Sequence, residues 1–432
     1  MQPDRPEFSS PREKAGGGAL PARSVRSLLP RFLLLLPLFL SQWNCADDAA
    51  PAVGCACLDR PGADDDDDTG GGIGSWDPWD DVGDDDSGDD DSSEDDSDDD
   101  DSGDDDAGDD DSAEVPEDIT LFLPPCDGGV ITAFVESEIQ PPEPDSEGYM
   151  VPSPDILQAM EASLDALIAG DYGQALAQAS LVQYELCRGE GEEQGTALWR
   201  PDRQLVQPGG APTPASGRAL FAWRALGARP LVVEVPHPWF ESGTLEQGVA
   251  MFHELSARAL VVAGTHRCAN DSDSVCDGTT GACGGPADTT PYRQSDMAHV
   301  EASLFQTIHE TLVDTYESDW FLSLHGMGDT GISISDGTQL DTDVGTPVAD
   351  FGAALMAQFP GVVTTCNAWP GSLWQTRLCG TTNVQGRYVN GVGDACTESA
   401  DTSSGRFIHL EQDADVRSQV ELVVDALDSV LP

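Results

Sequence analysis

The sequence predicts an α/β fold with a mostly parallel or mixed central sheet. From Arg218 onward, short β-branched apolar runs alternate with segments of helical period. Alternation of this kind is the signature of strands and helices that cover one another in layers. The region after residue 118 is also long enough to close a single large core.

Taken in chain order, RSLLPRFLLLLPLFLSQWNC comes first. It has arginines, then roughly nine apolar residues, then Cys45. That run is too short to span a bilayer, which needs about 20 residues, and reads as a secretory signal. Residues 1–44 are therefore expected to be a signal segment, with translation starting near Val25. Cys45 is a candidate for lipid anchoring to a membrane. Residues 45–118 form an Asp/Gly/Ser-rich tether. Between Asp64 and Asp111 it carries 27 acids and no Lys or Arg. Such a run self-repels and buries no apolar area, so it is expected to be disordered. The chain as a whole has 79 acidic and 20 basic residues, and the remainder beyond the tether is acidic as well. That field repels phosphate and excludes nucleic acid as a partner.

Residues 119–217 are expected to be a small helical hairpin and a connecting segment. DILQAMEASLDALIAGDYGQALAQASLVQYELC reads as two helices about a GDYG turn. Its AGDYGQAL stretch resembles one tetratricopeptide unit, a structural hairpin. Residues 218–432 follow as the alternating domain. ALFAWRAL, LVVEVPH, LVVAGTHR, WFLSLHG, GISISDG, GVVTTCNA and RFIHLEQD read as strands. TLEQGVAMFHELSARA, MAHVEASLFQTIHETLVDTY, TPVADFGAALMAQF and ADVRSQVELVVDALDSVL read as helices. Ser295 or Asp296 is the expected N-cap of the second of these helices. His253 and His309 lie among helical apolar residues and read as core or surface. The stretch around GRYVNGVGDACTESADTSSGRF reads as irregular.

Of the eleven cysteines, three precede the acidic run and eight follow it. That usage points to an oxidising compartment with up to four disulfides beyond the tether. Spacing does not fix their pairing, although Cys276 and Cys283 are close enough to staple one loop. No CxxC pair occurs.

Chemistry collects at the strand ends, where open α/β sheets place ligands. LVVEVPH ends in His237, with Glu241 four residues on. LVVAGTHR ends in His266 and Arg267, WFLSLHG in His325, and RFIHLEQD carries Glu411. Two histidines and one carboxylate suit a catalytic zinc, which takes three protein ligands and leaves one position open. His237, Glu241 and His325 are the candidate metal ligands for one Zn2+. Glu411 is the candidate general base. Arg267, with its planar fork, is the candidate grip on a substrate carboxylate. Asp296 and His299 are candidates to point into the same site. His409 is expected on the sheet face away from the functional residues, and His266 to be structural. Trp239, Trp369 and Trp374 could wall the pocket or simply pack. No GxSxG elbow or phosphate-binding GxxxxGKS loop is present.

These boxes resemble known ones. VPHPWFESGT is similar to the PH…E.GT box of zinc amidohydrolases of the poly-gamma-glutamate hydrolase type. Its PH start is shared with N-formylglutamate amidohydrolases. FLSLHGMGD resembles the segment that supplies the second zinc histidine in those families and in zinc carboxypeptidases. FIHLEQDADVR resembles the late strand bearing their general-base glutamate, and THR is placed like their substrate-binding arginine. The His-x3-Glu spacing differs from the His-x2-Glu of the carboxypeptidases, and the Cys-rich insertion Cys268 to Tyr292 lies outside the resemblance. The resemblance implies a carboxypeptidase-like α/β/α fold with a single zinc. The expected function is an exported zinc-dependent hydrolase of amide bonds, acting on a small peptide or N-acyl amino acid with a free carboxylate. The alternatives are a non-catalytic cell-surface binding module on the same fold, and a zinc-dependent deacetylase or esterase.

Overall fold

The computed structural model describes residues 119–126, 141–190, 195–201 and 217–432. The signal segment, the tether and Cys45 lie outside these residues. Strands β1 (Tyr184–Arg188), β2 (Thr196–Pro201), β3 (Leu220–Arg224), β4 (Arg229–Val235), β5 (Ala257–Val262), β6 (Trp320–Gly326), β7 (Ile332–Ser335), β8 (Val363–Thr365) and β9 (Phe407–Gln412) form one mixed sheet. Their order is β1-β2-β3-β5-β4-β6-β9-β7-β8. The inner four, β5-β4-β6-β9, run parallel, and antiparallel strands flank them.

The parallel strands are covered on both sides because their residues alternate between two apolar layers. Leu231, Val233, Val235, Leu322, Leu324, Ile408 and Leu410 pack into one core. On that side lie the helices Thr244–Glu254, Pro347–Gln358 and Val420–Asp428. Val232, Val261, Phe321 and Phe407 face the other core, with helices Pro154–Ile168, Tyr172–Leu181 and Leu304–Thr315. The result is the expected α/β layering around a mixed sheet. In helix Thr244–Glu254, a Cβ on Gly248 would lie 2.5 Å from Val235 Cγ2. Only glycine lets that helix sit so closely on the end of β4.

Several elements differ from expectation. VQYELC is not helical. Gln183 has a φ of 60° and ends the hairpin's second helix, and Tyr184–Arg188 becomes β1, paired with β2. The sheet thereby continues across residue 217, through β2 against β3. Strand β5 stops at Val262, so His266 and Arg267 stand on the turn after it. The helix expected from Met297 begins at Leu304, capped by Ser303, whose Oγ accepts from Gln306 N at 3.0 Å. Asp296 caps nothing, because its carboxylate is taken by other partners. The closing helix breaks into Ala414–Arg417 and Val420–Asp428, and a six-residue helix, Val384–Val389, stands in the stretch read as irregular.

All eight cysteines beyond the tether pair, as Cys126–Cys187, Cys268–Cys283, Cys276–Cys396 and Cys366–Cys379. Cys276 and Cys283 therefore do not staple to each other. Cys276 reaches across to Cys396 because the insertion folds back over the sheet end. Four disulfides accord with an oxidising environment. Among the described residues no helix is long and apolar enough to cross a membrane.

Candidate metal centre

Strands β4, β5, β6 and β9 end at one edge of the sheet, and the chain's progression reverses at β4. The next strand, β5, lies on one side of it and β6 on the other. Such a reversal opens a crevice at the carboxyl ends. His237 follows β4 by two residues. The segment from His237 to Glu241 makes one helical turn, with Glu241 N donating to His237 O at 3.0 Å. Pro238 fits the start of that turn, where no N–H is needed. Residues four apart then share a face. His237 Nδ1 and Glu241 Oε1 come to 2.7 Å.

His325 lies near the end of β6, with Nδ1 3.5 Å from Glu241 Oε2. Gly326 N donates to the same oxygen at 2.9 Å. The His237 and His325 rings meet edge to face at 5.0 Å between centroids. Glu411 lies opposite His325 in the β6–β9 register, and its Oε1 is 4.0 Å from His325 Nδ1. The expected trio of His237, Glu241 and His325 thus converges. One donor atom from each lies within 4.8 Å of the others, and all three residues are buried.

Asp296 supports this trio from behind. Its Oδ1 accepts from His237 Nε2 and His299 Nδ1, both at 2.8 Å. Its Oδ2 accepts from Arg267 Nε at 3.0 Å and Nη2 at 2.7 Å. Arg267 Nη1 faces Glu241 Oε1 at 3.5 Å. The arginine that the sequence assigns to substrate is therefore bonded to two carboxylates of the site, and Asp296 acts through His237 and His299. Tyr292 stacks on His299 with centroids 3.5 Å apart and planes 2° from parallel.

The charges are strongly coupled. Burial and Arg267 push the His237 imidazolium down, but Glu241 and Asp296 outweigh them and carry its pKa up to about 9. Burial raises the Glu241 carboxyl, yet His237 and His325 hold it well below the usual carboxylate range. Asp296 is likewise held down against its burial by Arg267, His299 and His237. His325 goes the other way, its burial keeping it below the ordinary imidazole value.

The residues fit a divalent cation. Three buried carboxylates, of Glu241, Asp296 and Glu411, gather at this end of the sheet, and Arg267 pairs with the first two. Buried negative charge in excess is costly unless a cation balances it. With His237 Nε2 donating to Asp296, Nδ1 is the nitrogen left facing Glu241, and a cation there would take the place of its proton. That is the carboxylate–histidine arrangement that orients a metal ligand. Tetrahedral donors at about 2.0 Å from one zinc lie roughly 3.3 Å apart. The observed contacts of 2.7 and 3.5 Å to Glu241 bracket that separation.

Two neighbours escaped the sequence reading. His409 is on the same face as Glu411, not the opposite one, since residues two apart in a strand point the same way. Its Nε2 lies 3.8 Å from Glu411 Oε1, and its ring is 4.5 Å from that of His325. Period-two counting from Glu411 finds it. Thr280, from the insertion, lines the pocket with His237, Glu241, His325 and Glu411, and nothing in its local sequence marks it. His266 stays outside. Its Nδ1 accepts from Cys268 N at 3.1 Å, and burial with Arg267 and His237 nearby lowers its pKa to about 4. Trp239 and Trp369 pack in the core, and Trp374 is exposed.

No protein-family model matches the chain, and no curated protein matches it in sequence. Among solved structures, a succinylglutamate desuccinylase from Vibrio parahaemolyticus is 9% identical, with a TM-score of 0.30, over 59% of this chain and 79% of its own. A provisionally assigned carboxypeptidase from Burkholderia mallei is 10% identical, with a TM-score of 0.27, over 49% of this chain and 58% of its own. A provisionally assigned metallopeptidase from Shewanella amazonensis is 14% identical, with a TM-score of 0.26, over 52% of this chain and 82% of its own. These are distant likenesses, and the chemistry of the chain rests on its own side chains.

Proposed function

We propose that the protein is an exported, zinc-dependent hydrolase of amide bonds, acting on a small peptide or an N-acyl amino acid. The observation that carries this is the convergence of His237, Glu241 and His325, buried, with Glu411 beside them. These three residues would hold the ion. A zinc ion there would polarise the substrate carbonyl and bring the pKa of a water toward about 7.

The chain's own groups do the rest. Asp296 donates no proton; it accepts from His237 Nε2 and so leaves Nδ1 as the nitrogen that would give up its proton to a metal ion. Arg267 holds Asp296 with two donors and keeps that carboxylate ionised. Arg267, which lines the pocket, would meet a substrate carboxylate. Glu411 would take a proton from the attacking water. As the new C–O bond replaces the C–N bond, the same carboxyl would return that proton to the departing amine. Disulfide pairing of all eight cysteines beyond the tether agrees with export. The signal segment and anchoring through Cys45 are part of the same proposal.

The test is metal content and turnover of the purified full-length chain. Zinc at one per chain is expected, falling sharply in His237→Ala and His325→Ala. Amide hydrolysis should be lost with it. Zinc retained by both variants would overturn the assignment.

A further inference from the structure

Glu241, His325 and Glu411 come from three separate segments. His325 and Glu411 stand near the ends of β6 and β9, and Glu241 on the turn after β4. The β6–β9 ladder holds His325 opposite Glu411, and its last pair is Gly326 with Gln412. Glu241 has no such hold, because it lies beyond the last pairing of β4.

A buried guanidinium bridges that gap. Strand β9 runs into the short helix Ala414–Arg417, capped by Asp413, whose Oδ1 accepts from Val416 N at 2.7 Å. This turn brings the chain back, so the side chain of Arg417 returns to the strand ends. Its Nε donates to the carbonyl of Ser242, the residue after Glu241, at 2.8 Å. Its Nη1 donates to the carbonyl of Gln412, the residue after Glu411. A Cβ on Gly326, the residue after His325, would lie 2.4 Å from Nη1 and 2.6 Å from Cζ. The guanidinium therefore rests against a bare α-carbon. One rigid plane thus meets the backbone directly after each of the three site residues.

Both donors of Arg417 meet backbone carbonyls rather than a carboxylate. The residue is 8% exposed, and a charge so placed is costly to desolvate. An apolar side chain would fill the space at less cost. What the fork adds is direction, since two donors in a fixed plane set the distance between carbonyls on different segments.

We propose that Arg417 is a positioning residue that fixes Glu241 against His325 and Glu411 by fastening the turn after β4 to the end of β9. It acts through the backbone of these residues and touches no substrate. Such centres need their donors held to within about 0.5 Å of the working geometry, and a turn outside the ladder needs a fastening to meet that. The inference rests on the proposed metal hydrolase and adds what keeps its ligands in register.

The experiment uses the full-length chain as Arg417→Ala and Arg417→Lys, with Arg258→Ala as the control. Arg258 holds Asp319 at the opposite end of the sheet. Zinc affinity is read by chelator competition, ligand geometry by the visible spectrum of the cobalt(II)-loaded protein, and fold stability by urea unfolding in EDTA. Arg417→Ala should bind zinc about tenfold more weakly or worse, as loss of an outer support does, and its cobalt bands should move. Lysine brings one ammonium to two carbonyls, so Arg417→Lys should fall between Arg417→Ala and the wild type. Arg258→Ala should lose stability and keep both metal readouts. An Arg417→Ala protein that loses urea stability alone, with wild-type zinc affinity and cobalt bands, overturns the proposal. A cobalt shift of equal size in Arg258→Ala overturns it too. Should Arg417→Ala fail to fold, Arg417→Lys carries the test, and wild-type values of both metal readouts there are the refuting result. A wild-type chain that binds neither zinc nor cobalt removes the metal centre itself, a different failure.

Discussion

Replacing Asp296 by Asn tests the support of the centre without changing its shape. The carboxylate is fully buried and accepts from four donors: two on Arg267, one on His237 and one on His299. An amide has one oxygen. If that oxygen faces Arg267, the amide N–H points at His237 Nε2. That nitrogen must then accept, the proton moves to Nδ1, and Nδ1 can no longer bind a cation. If the amide flips, its N–H meets the guanidinium donors instead. Both orientations are bad. Loss of such a partner costs a metal site about 10–100-fold in affinity, equivalent to ~1.4–2.8 kcal/mol. The metal-free protein should lose about 3 kcal/mol as well, because Arg267 is left buried beside a neutral group. The cost stays at the low end since Glu241 lies 3.5 Å from Nη1. Competition between the protein and a chromophoric chelator measures the first quantity, and urea unfolding in EDTA the second. An Asp296→Asn protein that binds zinc as tightly as the wild type would refute the assignment of Asp296 as the group that orients His237.

Further outcomes are specific. Glu411→Gln should keep its zinc and lose turnover by about 10²–10⁴-fold, the usual worth of a positioned proton carrier, in steady-state assays. Gly248→Ala should destabilise by about 1–3 kcal/mol, because its Cβ would fall 2.5 Å from Val235 Cγ2. The denaturation midpoint should fall at constant slope. His309→Phe should cost about 3–5 kcal/mol by stranding the buried Glu234, whose Oε1 lies 2.6 Å from His309 Nδ1. Adding Glu234→Leu should recover much of that loss, which a double-mutant cycle reads directly.

The strand ends were legible because a histidine closing an apolar run has few other uses, and His237 and His325 were found that way. Glu241 was legible through its spacing, though only the turn from His237 explains why four residues suffice. What stayed hidden is long-range. Arg267 and Asp296 lie 29 residues apart, and no local pattern says that they pair. His409 was misplaced by counting from Leu410 instead of from Glu411. Strand β1 was hidden because it follows a helix with no glycine or proline between them. The break is carried by Gln183 in a left-handed conformation, which composition does not announce. The pairing of Cys276 with Cys396 spans 120 residues and depends on how the insertion folds over the sheet.

Strand β4 itself offers a comparison that decides between a structural and a metal-holding cluster. Its Glu234 pairs with His309 in the layer between sheet and helix, and a few residues later Glu241 pairs with His237. Both pairs are buried and both are short. At Glu234 one carboxylate meets one imidazole. At the sheet edge, Glu241, Asp296 and Glu411 are buried with His237, His299, His325 and His409 beside them, and Arg267 pairs with Glu241 and Asp296. Three carboxylates gather there where Glu234 stands alone, and the buried Arg267 and Arg417 offset part of their charge. The three donor groups able to hold a cation among the described residues all fall in this cluster, and none includes Glu234 or His309. Burial alone therefore does not make a metal site of a carboxylate–histidine pair. Among the described residues, what sets apart the edge where β4, β6 and β9 end is that three carboxylates and several imidazoles come together there.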